Sequence, residues 1–520
     1  MAARFWNKQN ASANWNATAP TNWGSASGVA DGASVPGSGD TVTFDGAGVG
    51  GNANATISAT ITIGAFTVTA GYTGTITHNA VLTTNSHLTF NNSHTIAGSS
   101  SIIMSGNNAD ITSNGQTWPN AMSWTGGASG TKRLVGDFTI NGLLTMVCNT
   151  VNKSASEKLN CVGGFTLTDL NAVMNPDLYM KGGTILINLV GSSCRLDVNL
   201  YFDGNVTVGS QLRLATGSVT YVSGTITTTS STVILNNTIT LNTAGIIWSS
   251  IVFSNAINGN HTTTLTSDLT LTGTLACSTA SSNWTISGAY TIYGQTITIG
   301  NATATILGTA SIEVTAGTWS GAGTLRNNLT FNGNYTVSGT VNYSGGILSH
   351  TSGTITTTGV TLNLTGSCML DTDPIIWPTV NLTNTTAQTY TINSTFTVSG
   401  TLTLGTGATT IFAGTSGWTC ATLSNASTAA TTITLKESIT YTVTTLLSCF
   451  TTRTGSSLLF TSAHGTTKAN LTLSWGATCR CLSNFTRIDA SGGRPIRAFN
   501  STITDCSYIQ NITDLKTIAA

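Results

Sequence analysis

The sequence predicts an all-β chain wound as a right-handed parallel β-helix (β-solenoid) with capping ends, and three observations lead there. Thr makes up about one residue in five of the 520, and there are 56 Gly, so β-branched strand formers are joined to turn formers. Short runs alternate Thr with an apolar residue, as in Thr60-Ile61-Thr62-Ile63 and Thr401-Leu402-Thr403-Leu404; in a strand this turns the apolar residues to one face and the hydroxyls to the other. The chain also repeats itself at long range. No apolar pattern at i, i+3, i+4, i+7 is sustained, so little helix is expected. Tandem antiparallel β-sandwich domains of about 130 residues form the competing architecture, because that length also suits a sandwich.

The repeat is read from Ser-Gly-Thr-Ile-Thr-Thr-Thr, which occurs at 223–229 and again at 352–358, an offset of 129. In the same register Ile246-Ile247-Trp248-Ser249 matches Ile375-Ile376-Trp377-Pro378, and a fainter copy contains Thr117-Trp118-Pro119. Each unit of the repeat is longer than one coil and so holds several. Three segments are expected: a Trp-rich docking or capping segment at 1–50, a solenoid at 51–450, and a capping or oligomerisation segment at 451–520. The solenoid contains related blocks at about 100–225, 226–354 and 355–450; coils of roughly 20 to 25 residues would give it about 16 to 20 turns.

Charge narrows the function. Eighteen basic and 18 acidic residues cancel, and only 7% of residues are charged, against about 25% in ordinary domains. A neutral chain without basic blocks has no footprint for phosphate backbones. With 40% hydrophobic residues it also lacks the composition of a disordered chain. No run approaches the roughly 20 apolar residues of a membrane-spanning helix, and the first residues lack the apolar stretch of a secretory signal. The ten cysteines are too scattered for a disulfide framework, in keeping with folding in a reducing compartment.

Several side chains invite a functional reading. Trp6, Trp15 and Trp23 form a dense aromatic cluster suited to docking, to glycan contact by stacking, or to covering the first coil. Trp118, Trp248 and Trp377 recur at equivalent points of the repeat, which argues for packing. Asp371 and Asp373 are the nearest approach to a catalytic carboxylate pair: on a strand they would lie about 6.8 Å apart, within the roughly 5 to 9.5 Å of glycosidase pairs, although Pro374 also fits a turn. Arg480, Arg487, Arg494 and Arg497 form a C-terminal basic patch suited to acidic glycans, to ending the solenoid or to bridging subunits. Cys479 and Cys481, with Cys506 and His464 in the same region, depart from zinc-knuckle spacing and read as core thiols. No metal, cofactor or catalysis is expected. A flat Thr array of the ice-binding kind is weakened by irregular Thr-x-Thr spacing, and a cellular adhesin of autotransporter style by the missing signal.

Phe5-Trp6, Asn14-Trp15, Asn22-Trp23, Val35-Pro36 and Asp40-Thr41-Val42-Thr43-Phe44-Asp45, together with the stretch from Phe485 to Arg497, resemble the two ends of strand-repeat virion proteins of tailed bacteriophages. The resemblance implies a tail fibre, tailspike or head decoration: a homotrimer assembled in the host cytoplasm, released by lysis, and held to other virion proteins. It further implies contact with host-surface polysaccharide, without nucleic-acid partners or membrane insertion. A depolymerase with carboxylates gathered between subunits is the enzymatic alternative.

Overall fold

In a strand that alternates Thr with Ile, Leu or Val, burying one face is possible only against other strands, and parallel stacking sets each apolar residue over its like. The computed structural model describes residues 2–512 apart from 19, 127–129, 149, 169–172, 188–194, 210, 255–259, 278–282, 384, 406–408, 426–429, 450–457, 482 and 500, and without the side chains of 195, 480, 481, 499, 511 and 512. The described residues are all-β, and the strands stack in parallel as a right-handed β-solenoid of about 19 turns. Among the described residues the one antiparallel strand pair joins Ala3–Trp6 to Trp23–Gly24; tandem antiparallel sandwiches are therefore overturned.

The chain divides into two compact units, Met1–Ile251 and Val252–Ala520, a division that does not follow the block limits read from the repeat. In the first unit the strands Thr41–Phe44, Ala65–Val68, Leu88–Thr89, Ala109–Thr112 and Thr131–Val135 stack on one face. Their inward residues Val42, Phe66, Leu88, Ile111 and Leu134 form a continuous ladder, and all are buried. In the second unit Ile312, Leu329, Leu348, Leu370 and Ile392 do the same. Side chains that bridge successive coils commonly lie 19 to 24 residues apart. The ladder continues through Leu458–Ser462, Asn484–Thr486 and Ile503–Thr504, so residues after 457 carry further coils.

The N-terminal segment closes the open end of the first unit. Trp6, Trp15 and Trp23 are fully buried and pack edge-on to one another, with ring centroids 4.6 to 5.3 Å apart, above Phe44. The Trp6 indole donates to the Ala53 carbonyl, and the Trp23 indole to the Trp15 carbonyl, both at 2.8 Å. Asn22, also buried, holds the loop: its amide donates to the Ser12 and Asn14 carbonyls and accepts from the backbone N–H groups of Gln9 and Asn10. Every exposed strand edge at a solenoid end is a template for aggregation, and this aromatic plug covers one.

Two sharp corners carry the repeat. Leu200–Val208 and Leu329–Val337 share one burial pattern residue for residue. At the corner, Gly224 and Gly353 have φ of 89° and 88°. A Cβ on Gly353 would stand 2.2 Å from the Gly333 backbone, and one on Gly224 2.3 Å from that of Gly204. Only glycine fits a left-handed position stacked this tightly on another backbone.

Candidate functional site

A groove follows the corner at Gly353. In the second unit, Ile355–Thr356 pairs with Leu329–Val337 on one side, and no ladder joins it to Ile376–Leu382 in the next turn. That strand begins pairing backward only at Thr379. The gap leaves a groove of about 650 Å³ lined by residues 353–359 and 374–376 with His350, Pro378 and Ser399.

Local sequence explains the gap. Thr357 turns its side chain inward and donates its hydroxyl to the Ile376 carbonyl, replacing a ladder bond with a side-chain clasp. A turn follows, closed by the Val360 N–H on the Thr357 carbonyl at 3.0 Å, with Gly359 at φ 70°. A second turn, closed by the Ile375 N–H on the Thr372 carbonyl at 2.6 Å, delivers Ile376 to the rim, where it is 52% exposed. The His350 ring spans the wall: Nε2 meets the Gly353 carbonyl at 3.0 Å, and Nδ1 meets that of Asp373 at 3.2 Å. Thr354, Thr356 and Thr358 are exposed, and the lining includes no carboxylate, ammonium or guanidinium. Such a surface offers neutral donors and acceptors beside the C–H faces of Pro and Ile.

Asp371 and Asp373 lie beside this groove. Both are exposed, with Thr372 buried between them. Asp371 ends the strand Cys368–Asp371 and faces Ser349 on the preceding turn. Asp373 belongs to the turn, and its N–H donates to the Ser394 hydroxyl at 3.1 Å. Along the outer ladder through Thr330 and Ser349 the next carboxylate is Glu313. Three rungs at about 4.8 Å put its strand roughly 14 Å from that of Asp371, beyond the reach of a glycosidase pair.

The tryptophans expected to dock or to touch glycans offer no surface for it. Trp6, Trp15 and Trp23 are capping core, because each ring is enclosed by its fellows and Phe44. Trp118, Trp248 and Trp377 are buried as well, and each follows by five positions a buried Ser113, Thr243 or Thr372 that starts a tight turn. The C-terminal arginines are not presented as one exposed patch. Arg494 donates to the Ala477 carbonyl, Arg487 is half-buried, and Arg497 alone of the three described is exposed; the Arg480 side chain lies outside the described residues. The Cys479 thiol donates to the Arg497 carbonyl at 3.2 Å, and burial pushes the Cys506 thiol above its ordinary range. The Cys481 side chain lies outside the described residues. Among the described residues no group of three or more His, Cys, Asp or Glu is placed to hold a metal.

Sequence reasoning passed over two features. The heptapeptide at 352–358 served only to mark the repeat, yet it forms one wall of the groove; the signal was that its threonines are kept at positions no core requires. Tyr179 and Tyr201 stack in parallel on the outer surface, with centroids 4.2 Å apart and planes 8° from parallel, under the Lys158 ammonium at 5.3 Å. Their separation of one coil becomes visible only once the register is known. No family model, curated protein or solved structure matches this chain.

Proposed function

We propose that the chain is a non-enzymatic structural protein of a bacteriophage particle, a fibre, spike or head decoration, that holds neutral saccharides of the host surface in its groove. The observation that carries the binding reading is the lining itself: threonine hydroxyls, open backbone groups, the His350 ring and the apolar faces of Pro374, Ile376 and Pro378, with no carboxylate, ammonium or guanidinium. A pyranose has the complementary make-up, hydroxyls around its rim and C–H groups on its faces. A groove of about 650 Å³ is also within the usual range for small-ligand sites. The virion setting is supported by the resemblance of the two ends and by a fold whose backbone ladders suit a stiff spacer. Three copies in a homotrimer would raise weak contacts to firm attachment.

The test incubates the purified full chain with surface polysaccharide from candidate bacterial hosts and measures retention and newly released reducing ends together. Retention without release supports an adhesin. Release of reducing ends overturns the reading in favour of a depolymerase, and absence of retention across neutral polysaccharides removes the saccharide reading. Native mass spectrometry reads the trimer directly.

A further inference from the structure

We infer that the first unit carries a second saccharide groove of the same build, so that each chain takes two equivalents of one neutral ligand; this rests on the saccharide reading of the groove beside His350.

The two copies share the backbone features that open the groove and differ at Gly245 and Ser249, which stand where Pro374 and Pro378 line the other. Ile226–Thr227 pairs with Leu200–Val208 on one side only, as Ile355–Thr356 does with Leu329–Val337. The Thr228 hydroxyl donates to the Ile247 carbonyl, the counterpart of the Thr357 clasp on Ile376. Ser230 takes the left-handed position of Gly359, with φ of 62° against 70°. The Tyr221 hydroxyl donates to the Gly224 carbonyl at 2.9 Å, where His350 meets the Gly353 carbonyl. At the rim Ile247 is 53% exposed, against 52% for Ile376.

Shared ancestry alone explains identical core positions, because the same packing must be kept. It does not explain identity at solvent. Ser223, Thr225, Thr227 and Thr229 are exposed, as are Ser352, Thr354, Thr356 and Thr358, and all four pairs are identical, within the heptapeptide that marks the repeat. Elsewhere on the outer surface the copies differ more: Tyr201 is replaced by Thr330, Asp203 by Asn332, and Val222 by Thr351, although the exposed Asn205 and Thr207 are kept as Asn334 and Thr336. A half-exposed isoleucine is unfavourable in water, and its presence at the same place twice has no packing rationale. A ligand that uses the threonines and the isoleucine supplies one. Like its partner, the stretch from Gly224 to Ser230 carries no charged side chain, so both copies suit the same neutral class.

The experiment is isothermal titration of the full chain with a panel of neutral tetrasaccharides of glucose, galactose, mannose and N-acetylglucosamine, repeated on I247R, I376R and the double variant. Both isoleucines are half exposed, so folding is expected to survive, and circular dichroism melts check it. Two sites per chain, reduced to one by either substitution and to none by both, is the expected result. One site abolished by I376R and untouched by I247R overturns the second groove while leaving the first. Two sites insensitive to both substitutions place binding elsewhere and overturn the inference. No heat with any tetrasaccharide, in a chain that also fails to retain polysaccharide, overturns the saccharide reading on which it rests.

Discussion

The Thr357 hydroxyl donates to the carbonyl of Ile376 on the next turn of the solenoid, 19 residues away, and Thr228 makes the same bond to Ile247. One side-chain oxygen thus replaces a backbone ladder and leaves a strand edge open beside it. The two clasps differ around the Thr228 carbonyl: the Ser249 hydroxyl adds a bond at 2.5 Å and the Ser231 hydroxyl one at 2.6 Å, where Pro378 and Val360 stand in the other copy.

Replacing Thr357 by Val removes this part-buried hydrogen bond to the Ile376 carbonyl, a cost of about 1.5 kcal/mol. Amide exchange in peptides spanning 374–380 is expected to speed up about tenfold or more. T228V is expected to have a smaller effect on 245–251, because Ser249 still ties the turns together. Equal effects would show that Ser249 contributes nothing.

His78 is buried against Trp118, with ring centroids 4.9 Å apart, and desolvation, joined by the nearby His94, pushes its pKa down to about 3. His94 moves in the same direction, through burial. Below an unfolded-state pKa of about 6.5 the unfolded chain takes up protons that the folded chain refuses. Stability is therefore complete above that pH and falls as pH drops toward 3, by about 1.4 kcal/mol per unit for His78, with His94 acting in the same direction. Melting temperatures between pH 7 and 4 are expected to fall less steeply in H78F than in the unsubstituted chain.

Gly353→Ala places a methyl group on the Gly333 backbone at a left-handed position, and a cost above about 2 kcal/mol is expected. Gly339 has φ of 68° but nothing within 4 Å of an added Cβ. Its replacement by Ala is expected to cost only about 1 kcal/mol, the conformational part alone. Urea unfolding of both variants separates steric from conformational cost.

Ten of the eleven tryptophans are buried and Trp475 is 77% exposed. Acrylamide is expected to quench a minor, red-shifted fraction of the emission, and W475F is expected to abolish that fraction with no change in melting temperature. Retention of the accessible fraction in W475F would mean that another indole is open.

The class of fold was legible in the sequence because alternation is local. Thr41–Phe44 or Leu329–Val337 needs only its own residues to show which face is apolar, and a face of that kind has few ways to be buried. The equivalence of Trp118, Trp248 and Trp377 likewise followed from spacing alone. Burial of Trp6, Trp15 and Trp23 did not follow, since an aromatic cluster at a chain end serves equally well as plug or platform until its neighbours are placed. The groove was least legible of all. Whether Ile355–Thr356 finds a partner strand depends on how two turns and the Thr357 side chain position residues some 20 places apart, and strand pairing is a property of coil register. Local sequence thus determined strands, faces and repeat; tertiary structure decided which strand edges stay open, because an unpaired edge is defined only by what fails to stack upon it.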